Sequence, residues 1–159
     1  MYEPVRRLLA GAVITLVAAA VAAAPASAQP PIKRFPLPTQ DGRPLGLTVG
    51  PDGNVWFVEN LGNKVGRITR SGHVTTFPIP TPNSQPDAIV TGPDGNLWFT
   101  EIAGNKIGRL TPKGVVTEFA VPTANAQPTV IAAGPDGHLW FTERGRLHSQ
   151  GGANDVAKV

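Results

Sequence analysis

The sequence predicts an all-β fold, a partial β-propeller built from four-stranded blades, and three observations carry that prediction. The string Gly-Pro-Asp-Gly-Asn-Leu-Trp-Phe-Thr-Glu starting at Gly92 returns almost unchanged at Gly50 and Gly134, a 42-residue repeat with no insertion between these copies. Turn signals divide each repeat into four short segments rich in Val, Ile, Thr, Phe and Trp. Four strands in roughly 40 residues is the period of a propeller blade.

The first 28 residues differ from all that follow. Arg6-Arg7, an apolar run over 8–24 and Ala26-Ser27-Ala28 have the order of an export signal with a small-residue cleavage site. The expectation is a signal peptide over 1–28 and a secreted, periplasmic or cell-envelope protein with no stable membrane span after cleavage. An uncleaved anchor is the alternative, since a spanning helix takes about 20 apolar residues. The chain has no cysteine, which removes lipoprotein anchoring and disulfides alike.

Residues 29–143 are expected to form the blades. Residues 32–38 (IKRFPLP) match the fourth segment of a repeat with no first three before it, and read as an orphan strand that completes a last blade. Repeats then begin near Pro44, Pro86 and Pro128. In the middle repeat the expected strands are 88–91, 96–101, 106–111 and 115–121. Gly92-Pro93-Asp94-Gly95 joins the first two as a tight hairpin, because Pro presets φ and Gly takes φ > 0. Leu97 and Phe99 point to one face and Trp98 and Thr100 to the other, so the strand is buried on both sides. The aromatic residues recur in three columns and are read as scaffold. Asn63-Lys64 and Asn105-Lys106 are assigned to turn geometry, Asn tolerating the left-handed conformation.

In the third copy the Asn-Lys-x-Gly-Arg string is missing from its place 42 residues after Asn105. Residues 144–159 are therefore expected to be a disordered or aberrant tail, as a truncated or frameshifted fragment would give. About three repeats do not close a ring of four to eight blades, so self-association to close the ring is the expected alternative to a fragment. The formal charge is +3, and +2 without residues 1–28, with Lys and Arg spread among the repeats. A nucleic-acid partner needs a basic face, and none is present in the sequence.

The strings GPDGNLWFTE, NKIGRL and FPIPTPNSQP, in this order, resemble the streptogramin B lyase family, also called virginiamycin B lyases; the resemblance covers residues 32–143. It implies a seven-bladed ring that linearises cyclic depsipeptide antibiotics by elimination at an ester bond, with Mg2+. Such chemistry needs a base of near-neutral pKa to remove a proton next to a carbonyl and a hard cation to stabilise the enolate. The resemblance places the base, a His, directly after the repeat Pro, with a Glu two positions before it. Here those positions hold Leu45, Asp87 and Thr129, and Arg43, Gln85 and Gln127. The catalytic residues are thus unassigned within these repeats, and lyase activity of this chain is left open.

The Glu ending the WFTE string contributes to the metal site in the resembled family, which nominates Glu59, Glu101 and Glu143, at most one as a ligand. Their plainer role is in the blade, accepting backbone N–H bonds or pairing with Lys or Arg of the NKxGR segment. Asp87 breaks its column and is expected on a ligand-facing loop. His73, His138 and His148 lack the spacing of zinc ligands and are read as surface residues. Two functions remain: an exported lyase-like protein acting on a small cyclic peptide, or a non-catalytic propeller that binds a protein, peptide or cell-wall partner. An SMP-30-like lactonase would need acidic ligands that differ between blades, which Asp87 alone does not supply.

Overall fold

The computed structural model describes residues 31–145 and 155–159; the expected signal peptide lies outside them. Phe35–Val159 forms one compact unit. That unit is all antiparallel sheet. The first blade is β1 (Pro44–Val49), β2 (Val55–Glu59), β3 (Lys64–Ile68) and β4 (Val74–Pro78), paired in chain order. The second repeats it as β5 (Pro86–Thr91), β6 (Leu97–Glu101), β7 (Lys106–Leu110) and β8 (Val116–Ala120). The third has β9 (Pro128–Ala133), β10 (Leu139–Glu143) and β11 (Asp155–Lys158). Among the described residues no helix is long and apolar enough to cross a membrane.

The hairpin turns form as the sequence predicts. Gly92 N donates to Asn96 O at 2.8 Å, and Gly95 holds φ 73°. Asp94 then closes the turn: its carboxylate accepts from Asn96 N (3.1 Å), Asn96 Nδ2 (2.7 Å) and the indole Nε1 of Trp98 (3.0 Å). Partial burial pushes the Asp94 pKa up, but these hydrogen bonds to its charged form outweigh it and hold the group below the ordinary value. The turn thus orients the tryptophan. Trp98 stacks on Phe119 at 5.5 Å, and Arg109 lies over both rings at 5.7 and 5.6 Å. Trp56, Phe77 and Arg67 repeat this arrangement in the first blade, so the aromatic columns are scaffold.

Each blade buries one face against its neighbour. Leu97 and Phe99 face the first blade and pack with Trp56, Val58, Val65 and Ile79. Trp98 and Ile107, on the opposite face, pack with Ile131, Leu139 and Phe141 of the third. The innermost strands of the first two blades approach closely at Gly46, where a Cβ would lie 2.8 Å from the Ala88 Cα. Each innermost strand also carries a bulge after its proline. Thr100 fills the bulge of β5: its hydroxyl accepts from Ala88 N at 3.0 Å and donates to Thr129 O of the next blade at 2.7 Å.

Two expectations are corrected. Residues 32–38, expected as an orphan strand, are not a strand in the structure and run as an extended segment ahead of the first blade. The tail is not wholly unstructured: Asp155–Lys158 pairs with β10, Glu143 opposite Asp155 and Phe141 opposite Ala157. Asn-Asp-Val-Ala-Lys-Val at 154–159 is the Asn-Lys-x-Gly-Arg string again, displaced by seven residues from its place in the repeat. Ala157 takes the column of Gly66 and Gly108, and Lys158 lies over the Trp140 ring at 5.5 Å as the arginines do in the other blades.

Candidate functional site

Strand direction collects the candidate residues at one end of the blades. β5 starts there with Pro86 and Asp87, β6 ends there with Glu101, and β7 starts there with Lys106. The loops between blades cross the same end. His73 and His138 lie at the opposite end, exposed in the hairpin turns; His148 lies outside the described residues.

The inter-blade loops are locked by Asn63 and Asn105. Both have φ 52°, the left-handed conformation expected of them. Asn105 Nδ2 donates to Val121 O (3.2 Å) and Thr123 O (2.9 Å), while its Oδ1 accepts from Gln127 N (3.3 Å). One side chain therefore satisfies three backbone groups of a loop with no sheet partners of its own. Asn105→Ala is expected to cost roughly 2 kcal/mol, since net hydrogen bonds contribute about 1 kcal/mol each and Ala resists positive φ; urea unfolding at fixed pH measures it.

The three glutamates are buried, each in its own blade. Among the described residues, neither carboxylate oxygen of Glu59 or of Glu101 has a hydrogen-bond partner in good geometry. The expected pairing with backbone N–H or with Lys and Arg of the NKxGR segment is therefore corrected for these two. Lys106 turns instead to Glu118 Oε2 (3.0 Å) and Thr81 Oγ1 (2.6 Å), and Lys64 turns to Thr39 Oγ1 (3.0 Å). Ser84, beside the Glu101 carboxylate, donates its hydroxyl to Asn63 Oδ1 at 3.0 Å. Burial first, and the nearby charge of Glu118 second, push the Glu101 pKa up to about 7.

Glu118 was not singled out in the sequence, although it breaks its column, where Thr76 stands in the first blade. Burial works to raise its pKa, and hydrogen bonds from Thr81 N, Lys106 and the Thr81 hydroxyl bring it below the ordinary value. Asn60 was also missed. It is buried, and its Nδ2 donates to Pro86 O at 3.0 Å, tying the first blade to the start of β5.

Magnesium prefers several oxygen ligands in near-octahedral array, water among them. Among the described residues no three His, Asp or Glu side chains come together as a ligand group. A Cβ on Gly62 would stand 2.6 Å from Glu59 Oε2, and one on Gly104 would stand 3.2 Å from Glu101 Oε2, so these carboxylates lie close under their loops. The described residues alone do not fit a magnesium ion. Asp87 is half-buried, within the bulge between Pro86 and Ile89. It stands beside Glu101 in the ladder, because Pro86 is the residue opposite Glu101.

The same end carries a polar recess of about 260 Å3, lined by Gln85, Ile102, Ala103, Asn105, Asn125 and Gln127. Gln85 and Gln127 occupy the column in which the resemblance expects a Glu. They hold φ 53° and 49°. Carboxamides offer a donor and an acceptor together, so the recess suits a neutral ligand that hydrogen-bonds both ways, such as a peptide amide.

A stack of antiparallel meanders, two of four strands and one of three among the described residues, with its inter-blade loops and its candidate polar groups at one end, defines a partial β-propeller. A sequence model of the virginiamycin B lyase family matches residues 17–155, and the chain belongs to that family. The crystal structure of virginiamycin B lyase from Staphylococcus aureus is 48% identical and superposes with a TM-score of 0.69 over 79% of this chain and 43% of that one. A catalytically inactive His-to-Ala variant of the S. aureus protein, with quinupristin, matches equally at 48% identity and TM-score 0.69, over 78% of this chain and 43% of that one. A virginiamycin B lyase of Bacillus licheniformis is 47% identical over 40 residues, 25% of this chain and 14% of that protein. The chain thus spans less than half the length of these relatives.

Proposed function

We propose that this protein is an exported member of its family that takes a cyclic depsipeptide of the streptogramin B type onto the loop end of its blades. The amide-lined recess between Gln85 and Gln127 carries this reading. It offers a peptide ring neutral donors and acceptors, and it lies at the end of the blades where the family resemblance places the functional columns. The reaction of the family is elimination at the ester bond, and it requires a base. Leu45, Asp87 and Thr129 hold the position where that base, a His, is expected, and neither His73 nor His138 lies at this end. The three blades therefore serve recognition, with Asp87 facing the ligand beside the recess. Magnesium enters only through the likeness to the family, and no step is assigned to it on these residues.

Titration of the chain with quinupristin, the compound in the S. aureus structure, tests this reading. Saturable binding is expected, with the ligand's mass unchanged whether or not magnesium is present. Gln127→Ala is expected to weaken binding about tenfold, equivalent to roughly 1.4 kcal/mol. Ring-opened product would refute recognition without cleavage, and no heat or signal change at saturating ligand would refute the ligand class.

A further inference from the structure

The polar recess at the loop end carries more hydrogen-bonding capacity than the loops around it use. None of its six lining residues is ionisable, and four of them are carboxamides. Asn105 commits its side chain to the loop, donating to Val121 O and Thr123 O and accepting from Gln127 N. Gln85, Asn125 and Gln127 do not. Among the described residues, their carboxamides have no hydrogen-bond partner.

The backbone at these three positions is held while the side chains are left free. Gln85, Asn125 and Gln127 have φ 53°, 56° and 49°, in the left-handed region. Asn enters that region readily, but Gln does so only where its surroundings impose it. The constraint is visible in the main chain. Gln85 O accepts from Ile102 N at 3.2 Å, while Gln127 N donates to Asn105 Oδ1 at 3.3 Å and Gln127 O accepts from Arg144 N at 3.4 Å. Gly would take the same backbone conformation without strain, so the turn itself does not explain the glutamines. A strained position that carries a long carboxamide with no partner in the chain is accounted for by a group that meets it from outside.

We propose that the recess is a secondary-amide subsite, in which the carboxamides of Gln85, Asn125 and Gln127 pair with the N–H and C=O of one peptide bond of the ligand and disfavour an ester in its place. A carboxamide offers a donor and an acceptor, and a peptide bond answers both. An ester answers only the donor. A site that hydrogen-bonds an N–H discriminates against the analogue lacking it, because its acceptor is left unpaired. A cyclic depsipeptide contains both kinds of bond, so the recess takes an amide stretch of the ring and leaves the ester outside. This subsite rests on the reading of the recess as the ligand site given above, and it adds the chemical group that the site selects.

The test compares N-acetyl-L-alanine N′-methylamide with methyl O-acetyl-L-lactate, the diester of the same shape in which both N–H groups are replaced by oxygen, on the isotopically labelled whole chain. The side-chain NH2 signals of Gln85, Asn125 and Gln127 are expected to shift saturably with the diamide, and the diester is expected to bind about tenfold more weakly, the size of one lost hydrogen bond. Gln127→Met keeps the side-chain length and removes the carboxamide, and it is expected to lose most of that discrimination; Gln85→Met repeats the test from the other wall of the recess. Equal affinity for the two probes, no shift at these three residues, or a discrimination that both Met variants retain would overturn the proposal. Quinupristin separates the subsite from the reading beneath it. Saturable quinupristin binding by a chain that does not tell diamide from diester refutes the subsite alone, whereas discrimination without quinupristin binding supports the subsite and refutes the depsipeptide as its ligand.

Discussion

Phe99→Ala is expected to destabilise the unit by about 3–5 kcal/mol, the range for emptying a fully buried aromatic site. Phe99 is fully buried, lies across the ladder from Ile89 and Gly108, and belongs to the cluster that joins the first two blades. Its ring rests on Gly108, where an added Cβ would collide with it, so neighbouring side chains are already placed around its full volume. Truncation removes the cement of an interface as well as part of a sheet. Phe119 in the same blade supplies the control. It stacks on Trp98 but sits on the outer strand, partly exposed, and Phe119→Ala is expected to cost about 1–2 kcal/mol because water fills the space it leaves. Urea unfolding of both variants measures the difference. Equal losses would mean that the blade interface does not carry the stability assigned to it.

The regular part of this molecule was legible because each blade answers the same physical demand every 42 residues. The two-sided burial of Leu97, Trp98, Phe99 and Thr100, the Pro-Asp-Gly hairpins and the left-handed asparagines all follow from residue chemistry in one repeat. The departures were harder to read. β11 is hidden from a fixed 42-residue period, because the connection between two strands lengthens at little cost; Asn154 follows Asn105 by 49 residues, seven beyond the period. Residues 32–38 have the pattern of a strand, yet the structure holds them outside the sheets. At the loop end, the column of Asp87 was visible, and so was the lack of an imidazole there. The state of the glutamates was not, because Lys106 is adjacent in the ladder but is drawn to Glu118, a partner set by the next strand and the preceding loop.

That competition for Lys106 has a consequence for stability against pH. Glu101 is buried, neither oxygen has a hydrogen-bond partner in good geometry among the described residues, and burial pushes its pKa up to about 7 from an ordinary value of 4.5. Between those two values the folded chain binds a proton at Glu101 that the unfolded chain has released. Stability from this group is therefore full below pH 4.5, falls as pH rises toward 7, and levels off above it. At about 1.4 kcal/mol per unit of pKa, the loss reaches up to about 3 kcal/mol. Glu101→Gln keeps the shape of the neutral acid at every pH, so it is expected to be more stable than the unsubstituted chain at pH 8 and similar to it at pH 5. Glu118→Gln removes the second cause of the shift and is expected to lower the pH at which the loss levels off and to shrink the loss, by bringing the folded pKa of Glu101 back toward its ordinary range. The difference in urea midpoint between each variant and the unsubstituted chain, followed from pH 5 to 8, isolates Glu101 from the other titrating groups. A midpoint difference that stays constant across that range would show that Glu101 is ionised throughout, and that an unseen partner neutralises its charge.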